Sequence, residues 1–300
     1  MQLIHPLVLF CYNRPDHLER TLAALKLNDL SEQSDLYVFS DGPGTAEAED
    51  GVHAVRTLLA GIRGFKSVQL VEHVTNMGLA ASVISGVTEV LQQHTACIVL
   101  EDDLETSPHF LSYMNEALNH YKEDFRIFSV SGYCPPIQLP ADCPFQSFLF
   151  ARINSWGWGT WRDRWEKVDW EVADFKGFIA DKKQRTRLEQ QGADLPVMLL
   201  KQQQGKIASW AVRFNQASFN LGMTNVYPVH SLVRNQGADG SGTHMKSSGK
   251  YAVELSARTL SPANAVSSPI INQRFRNFYN PSCYRRLVNF IKIARYNWGI

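Results

Sequence analysis

Apolar segments of strand length alternate with amphipathic segments of helix length through the first 131 residues. The pattern predicts strands at 6–12, 35–40, 67–72, 96–100 and 126–131, and helices at 15–27, 47–62, 79–93 and 108–121. Strands that are separated by helices of this length are typical of βαβ units. We therefore expect an α/β fold, Rossmann-like, in which helices flank a mostly parallel sheet.

The second half of the chain has a different pattern. Residues 148–165 are dense in Trp and Gly, and 169–204 and 209–221 are typical of helices, with a break near 192–196. A short strand is predicted at 225–229, followed by a loop at 235–249 that is rich in Gly and Ser. We expect an α-rich extension after the sheet.

Composition excludes several classes of protein. The net charge of +1 gives no reason to expect a nucleic-acid partner. The five cysteines lack CxxC or Cys/His zinc spacing, which favours reduced thiols in a cytoplasmic protein. The first residues do not have the basic start of a signal peptide, and no apolar run reaches the length of a membrane span.

Three consecutive carboxylates, Glu101, Asp102 and Asp103, directly follow the buried strand at 96–100. In open α/β sheets, ligands bind in the crevice beyond the carboxyl ends of the strands. Adjacent acids repel one another, and a hard cation that carries phosphate oxygens would relieve the repulsion. The alternative is an ordinary polar strand end that leads to a helix opened by Ser107 and Pro108.

Three further polar segments follow strands at the same predicted sheet edge. They contain Cys11, Asn13 and Arg14 after the first strand, Asp41 after the second, and Asn76 and Gly78 after the third. Backbone N–H groups at a helix start, with an arginine beside them, suit a base or a phosphate. Each segment alone is also typical of a plain turn, but four in series at one edge favour a ligand site.

These motifs resemble those of nucleotide-sugar glycosyltransferases of the GT-A fold, and in particular the N-acetylglucosaminyltransferase I group and its bacterial relatives. The resemblance is carried by Phe10-Cys-Tyr-Asn-Arg-Pro15, Ser40-Asp-Gly42, Asn76-Met-Gly-Leu79 and Val99-Leu-Glu-Asp-Asp-Leu-Glu105. It covers roughly residues 5 to 245. It implies a GT-A domain at 1–245, with a nucleotide-binding half at 1–131 and an acceptor-side half at 132–245, followed by an extension at 246–300.

The resemblance also implies residue roles. Asp103 would bind Mn²⁺ or Mg²⁺, which bridges the donor diphosphate, Asp102 would lie near the ribose, and Glu101 near the donor sugar. Cys11, Asn13, Arg14, Asp41, Asn76 and Gly78 would line the nucleotide site. The loop at 237–244 resembles one that orders over the bound donor, so that His244 would join the metal.

The acceptor side has an aromatic segment at 154–161. Trp156, Trp158 and Trp161, together with Trp210, could form a wall beside the acceptor, with Gly157 and Gly159 allowing close approach of the loop. The alternative, equally favoured by the pattern, is an aromatic cluster that anchors the core.

Bacterial relatives have the pattern Ile-Asp-Ser-Trp-Ala where this chain has Ile207-Ala208-Ser209-Trp210-Ala211. An inverting transferase needs a carboxylate to accept the proton of the attacking hydroxyl. If that aspartate is the base, Ala208 removes it, and the chain is either inactivated or uses another carboxylate. Asp163, Asp169 and Asp239 are the other candidates.

We therefore expect a metal-dependent, inverting transferase that moves a sugar from a nucleoside diphosphate sugar, with UDP as the favoured nucleotide, to a glycan or lipid-linked glycan. Two alternatives stay open: a non-catalytic glycan-binding protein with the same fold, favoured by Ala208 and the Trp cluster, and a sugar-1-phosphate nucleotidyltransferase, disfavoured by the absence of a Gly-rich loop after the first strand. The basic amphipathic segment at 282–298 predicts either peripheral contact with the inner face of a membrane or a helix packed on the domain.

Overall fold

The computed structural model describes residues 3–140, 143–237 and 249–299. Its first half follows the predicted alternation closely. The elements are β1 (Leu7–Cys11), α1 (Pro15–Lys26), β2 (Asp35–Ser40), α2 (Glu49–Ala60), β3 (Ser67–Glu72), α3 (Leu79–Gln93), β4 (Ala96–Glu101), β5 (Leu104–Thr106), α4 (Phe110–His120) and β6 (Ile127–Ser131). The short β5 is an addition that the sequence pattern did not predict.

The second half adds four strands and seven helices to the described residues. These are β7 (Ser147–Phe150), β8 (Trp158–Trp161), α5 (Arg162–Trp165), α6 (Phe175–Ala180), α7 (Lys182–Glu189), α8 (Leu195–Gln203), α9 (Trp210–Asn220), β9 (Thr224–Pro228), β10 (Val233–Asn235), α10 (Pro269–Tyr279) and α11 (Cys283–Trp298). The helical segments expected at 169–204, 209–221 and 282–298 are therefore present, whereas β7 and β8 were not predicted.

Eight strands of the described residues form one sheet in the order β3-β2-β1-β4-β8-β6-β9-β7. The strands β3, β2, β1 and β4 are parallel, and β9 is parallel to β6. β8 lies antiparallel between β4 and β6, and β7 is antiparallel to β9 at the edge. The α/β fold with a mostly parallel sheet is confirmed, and the carboxyl ends of β1 to β4 lie at one edge.

Alternate residues of the strands supply two apolar cores, one on each face of the sheet. Leu7 and Leu9 of β1 pack with α1, α2 and α4 on one face, and Val8 and Phe10 pack with α3 and α9 on the other. Because β1 is covered on both faces, it reads as a continuous apolar run. This burial fixes the strand ends, and so the position of the polar residues that follow them.

The segment predicted as a C-terminal extension packs in two places. Ile271 and Phe275 of α10 join the core beneath the sheet, where the Phe275 ring lies 5.4 Å from that of Phe148 and 5.1 Å from that of Tyr227. Ile293 of α11 joins a separate helical cluster built from α6 to α9. α11 is thus a helix packed on the domain along one side only.

Candidate active site

The acidic triplet lies where β4 ends and turns into β5. Asp102 is 3 % exposed, and one of its carboxylate oxygens accepts a hydrogen bond from Arg14 Nη2, while the other accepts from the backbone N–H of Tyr12 at 3.3 Å. Arg14 Nη2 also donates to Asp103 Oδ2 at 3.2 Å. The residue before α1 therefore bridges two members of the triplet, as expected for strand ends that lie side by side.

Burial controls the electrostatics of this cluster. It raises the pKa of Asp102 to about 6, although the Arg14 charge opposes the shift. Burial also raises the pKa of Glu101, and the neighbouring charges of Asp103 and Asp102 raise it further. For Arg14, burial lowers the pKa, but Asp102 and Asp103 outweigh this and leave it raised. One guanidinium thus faces three acids, so the cluster has room for a further positive charge.

Asp103 contacts the segment that follows β10. Its backbone oxygen accepts from the N–H of Gln236 at 2.7 Å, and β10 pairs with β5 so that Asn235 lies opposite Leu104. A Cβ added at Gly237 would lie 2.6 Å from Asp103 Oδ2 and 3.3 Å from both Asn235 Oδ1 and Arg14 Nη1. Gly237 therefore leaves open the space toward which these three side chains converge.

One buried oxygen of each acceptor side chain at this space has no hydrogen-bond partner among the described residues: Asp103 Oδ1 and Asn235 Oδ1. Buried oxygens normally find partners, so an unpaired pair beside one cluster calls for an explanation. Carboxylate and amide oxygens are the donors that Mg²⁺ and Mn²⁺ prefer. The side chains fit a hard divalent cation, although residues 3–140, 143–237 and 249–299 contain no group of three or more His, Cys, Asp or Glu arranged for a metal.

Two predicted site residues, Asp239 and His244, lie outside the described residues. Their roles as a catalytic carboxylate and a metal ligand stay predictions.

Asp41 connects two loops of the site edge. Its Oδ1 accepts from the backbone N–H groups of Gly42 at 3.0 Å and Met77 at 2.8 Å, and its Oδ2 accepts from Gly78 at 2.9 Å. The carboxylate therefore satisfies the start of α3 and holds the loop after β2 against the loop after β3. A direct contact of Asp41 with a nucleotide stays a prediction, because this geometry also accounts for a buried carboxylate on structural grounds.

The other predicted nucleotide-site residues lie around these loops. Asn76 Nδ2 donates to the backbone oxygen of Gly42 at 3.0 Å, and Gly78 has a φ of 76° directly before α3. Gly51 of α2 packs against Asn13. A Cβ added at Gly51 would lie 2.7 Å from the backbone oxygen of Asn13. Cys11 is buried, and burial raises its thiol pKa. Cys11 thus supports the strand end from the core side.

The tryptophans divide into two groups. Trp158, Trp161 and Trp210 are buried: the Trp158 ring stacks 4.8 Å from Trp210, and Trp161 Nε1 donates to the backbone oxygen of Leu118 at 2.9 Å. Trp158 and Trp161 belong to the inner strand β8, not to a loop, and Trp210 begins α9. All three rings lie in the core, as in the alternative that the sequence left open. Trp156 is partly exposed, and its ring lies 5.7 Å from that of Tyr251.

The two glycines of this segment serve packing. A Cβ at Gly157 would lie 2.6 Å from Val233 Cγ2, and one at Gly159 would lie 3.0 Å from the backbone oxygen of Cys97. The two glycines therefore let this segment lie close to neighbouring parts of the protein. The sequence suggested close approach to a ligand, but these protein contacts are enough to explain both glycines. The acceptor-side prediction is therefore carried forward for Trp156.

The candidate bases have distinct surroundings. Ala208 is exposed, just before Ser209, whose hydroxyl caps α9 by accepting from the N–H of Val212 at 3.3 Å. Asp163 pairs with the buried Arg164 at 2.7 Å, and Asp169 accepts three backbone N–H bonds in the loop before α6. Asp163 and Asp169 are thus engaged in structural contacts, and Ala208 cannot accept a proton, so the identity of the base stays a prediction.

Comparison with known proteins bears on the same edge of the sheet. Residues 7–140 match the model of the family Glycosyl transferase family 2. This stretch contains β1 to β4, the acidic triplet, Arg14 and Asp41. The family 2 match supports the glycosyltransferase part of the resemblance, while the N-acetylglucosaminyltransferase I group stays a prediction. No curated protein matches the chain.

Several solved structures are similar in chain path. The crystal structure of S. aureus TarS has a TM-score of 0.41 at 8 % identity and covers 76 % of this chain and 36 % of TarS. That of S. aureus TarS 1-349 has 0.42 at 8 %, covering 78 % and 61 %. The mannosyltransferase PcManGT from Pyrobaculum calidifontis, in complex with GDP-Man and Mn²⁺, has 0.38 at 13 %, covering 72 % and 70 %. The match thus spans less than two thirds of either TarS chain, and no residue role is transferred from these structures.

Sequence reasoning missed Asn235 and named Gly237 only as the start of the loop at 237–244. Both lie in a segment that the pattern assigned to a Gly/Ser-rich loop, some 130 residues from the triplet in the chain. A single Asn in such a loop gives no signal of its own. Only the pairing of β10 with β5 brings it to Asp103.

Proposed function

We propose that this protein is a glycosyltransferase that uses a nucleoside diphosphate sugar and a divalent cation. The observation that carries the proposal is that Asp103, within the family 2 match, and Asn235 both border the space at Gly237, and that each has a buried Oδ1 without a hydrogen-bond partner. Such oxygens are suited to a cation, and the adjacent strand-end crevice suits the nucleotide.

Each side chain of the candidate site has a proposed role that follows from its position. Asp103 and Asn235 would hold the cation, which when bound supplies positive charge to the diphosphate that leaves. Arg14, which donates to Asp102 and Asp103, would pair with a phosphate oxygen. Glu101 would lie near the donor sugar and Asp102 near the ribose. The two loops joined by Asp41 would line the nucleotide site.

The acceptor is proposed to be a glycan, free or lipid-linked, with the partly exposed Trp156 as a stacking surface. Transfer would be a direct displacement, in which the acceptor oxygen forms the new bond to the anomeric carbon as the bond to the diphosphate breaks. The hydroxyl proton passes to a base, for which Asp239 is the candidate within this chain. UDP as the nucleotide and inversion of the anomeric centre belong to the same proposal.

A thermal-shift panel tests the donor site. UDP-, GDP- and dTDP-sugars are each added with and without Mn²⁺, because stabilisation by a ligand follows its affinity and concentration. We expect one nucleotide to raise the melting temperature only with the metal, and Asp103→Asn to abolish that rise. The lack of a metal-dependent shift with every nucleotide sugar would contradict the proposal.

A non-catalytic glycan-binding protein is the second candidate, because position 208 is an alanine and has no carboxylate. Under that alternative, calorimetry would show glycan binding without metal-dependent nucleotide affinity. The family 2 match and the triplet favour the transferase.

A further inference from the structure

The exposed surface of α11 is strongly apolar for a helix on the outside of a protein. Leu287 is 58 % exposed, Phe290 67 % and Trp298 75 %. They follow one another at helical spacing along a single stripe, at i, i+3 and i+11. The helix packs on the helical cluster through Ile293, on the side next to this stripe. The stripe is therefore not part of the core that holds α11 in place.

A groove runs between this stripe and α7. It has a volume of about 630 Å³ and is lined from α7 by Lys182, Arg185 and Thr186, and from α11 by Leu287, Phe290 and Trp298, among others. We call the outer surfaces of the two helices, with this groove, the α7–α11 face. Side chains of both helices are thus presented to the same side of the molecule.

The charged residues of α7 and α11 are almost all basic. The two helices hold eight of the chain's 30 Lys and Arg residues but only one of its 29 Asp and Glu residues, Glu189. The basic residues are Lys182, Lys183, Arg185, Arg187, Arg285, Arg286, Lys292 and Arg295. Glu189 lies within the electrostatic reach of Arg286 and Arg185. Since the whole chain has a net charge of +1, this concentration of positive charge is local.

The combination of charges and apolar rings selects among possible occupants. A second copy of the chain would bring the same basic surface against itself, because a two-fold interface pairs identical patches, and like charges would repel. An anionic bilayer offers both complements: phosphate groups for the lysines and arginines, and an acyl boundary for Leu287 and Phe290. Tryptophan at the level of the headgroups is typical of membrane interfaces.

We propose that the α7–α11 face docks the protein onto an anionic lipid bilayer, with Leu287, Phe290 and Trp298 entering the headgroup region and the basic side chains of both helices contacting lipid phosphates. No helix of the described residues is long and apolar enough to cross a membrane, so the contact is one of a helix lying in the interface plane. The proposal extends the membrane contact predicted for 282–298 to α7, and it does not depend on the donor chemistry.

Vesicle co-sedimentation of the full chain tests it. The vesicles are phosphatidylcholine alone or phosphatidylcholine mixed with phosphatidylglycerol, at low and high salt. We expect binding to the mixed vesicles only, weakened by salt. Replacing Arg285, Lys292 and Arg295 together by Gln should lower the affinity roughly a hundredfold, since each basic residue near such a surface contributes about fivefold. The double variant Leu287→Ser/Phe290→Ser should lower it about tenfold or more.

Matched controls separate docking from folding. Leu27→Ser removes an exposed leucine directly after α1, 73 % exposed, and Lys122→Gln removes a surface charge elsewhere; both should bind vesicles like the parent. Binding to mixed vesicles should shift tryptophan emission to shorter wavelength, and Trp298→Phe should remove that shift. Metal-dependent nucleotide-sugar binding without vesicles should be unchanged in every variant, which keeps the two proposals distinguishable.

Several outcomes would overturn the proposal. They are the absence of binding to any vesicle, equal binding to vesicles without phosphatidylglycerol, and unchanged binding in both the apolar and the charge variants. A concentration-dependent dimer in sedimentation velocity that is lost in Leu287→Ser/Phe290→Ser would assign the face to a second copy instead.

Discussion

Asp103 Oδ1 and Asn235 Oδ1 are both buried without a partner among the described residues, and both side chains border the space that a Cβ at Gly237 would enter. The first follows β4 and the second ends β10, so the pairing of β10 with β5 brings them together. This relationship gives the site two oxygens that a cation would satisfy, and it leads to the first two predictions.

Removing the Asn235 amide should weaken cation binding. We expect Asn235→Ala to lower Mn²⁺ affinity about tenfold, the size expected for one supporting contact in a metal site. Binding is followed by electron paramagnetic resonance of free Mn²⁺, which does not depend on turnover. Asn280→Ala is the control, because Asn280 is an exposed residue directly after α10. If Asn235→Ala bound Mn²⁺ as tightly as the parent, Asn235 would be only a structural residue.

Adding one carbon at Gly237 should disturb the same space. The new Cβ would lie 2.6 Å from Asp103 Oδ2, a distance that real Cβ atoms do not tolerate, so the carboxylate must move. We expect Gly237→Ala to lower both Mn²⁺ affinity and the metal-dependent thermal shift by nucleotide sugars. Gly249→Ala is the matched control, because a Cβ there meets nothing within 4 Å. Equal behaviour of the two variants would argue against the proposed position of the cation.

Asp41 should stabilise the fold through its loop contacts. In Asp41→Asn, an amide NH₂ would face at least one of the backbone N–H groups of Gly42, Met77 and Gly78 that now donate to the carboxylate. A buried donor left without an acceptor costs about 1–3 kcal/mol, so the free energy of unfolding should fall by about that amount in urea denaturation. Glu19→Gln on the exposed side of α1 should change it little. A stability equal to that of the parent would show that the loops do not depend on Asp41.

His5 should make stability depend on pH. Burial, and to a smaller extent the charge of His94, lowers the pKa of His5 from 6.5 to about 4. Between these two values the unfolded chain binds a proton that the folded state does not. Stability is therefore retained above pH 6.5 and is lost as the pH falls toward 4, by about 3 kcal/mol in total. His5→Leu should flatten this part of the profile in denaturation curves from pH 4 to 7, and an unchanged slope would assign it to other groups.

Position 208 should decide whether a base is missing. If the chain lacks a base elsewhere, Ala208→Asp should raise the rate of sugar transfer by about 10²-fold or more, the contribution that a positioned general base commonly makes; if Asp239 is the base, the rate should not rise. Ala208→Asn has nearly the same size but cannot accept a proton at neutral pH, so it should give no gain. The rate is measured as release of nucleoside diphosphate with the donor found in the thermal-shift panel. Equal rates in the two variants would remove position 208 from consideration and leave Asp239.

The sequence by itself determined the layered α/β architecture and the edge at which the site lies. Strand and helix periodicity is a local property of the sequence. A strand that is buried on both faces, such as β1, must be apolar throughout, so its end can be located from the sequence alone. Because the carboxyl ends of parallel strands meet at one edge, the approach of Arg14 to Asp102 and of Asp41 to the loop before α3 followed from the same pattern.

Only the tertiary structure decided the rest, because it depends on contacts between residues far apart in the chain. The insertion of β8 antiparallel between β4 and β6 buries Trp158 and Trp161, which local pattern could not distinguish from an aromatic surface. The pairing of β10 with β5 brings Asn235 to Asp103, and the packing of Ile293 determines which side of α11 is left exposed. Periodicity shows that a segment has an apolar side, whereas long-range packing decides what that side contacts.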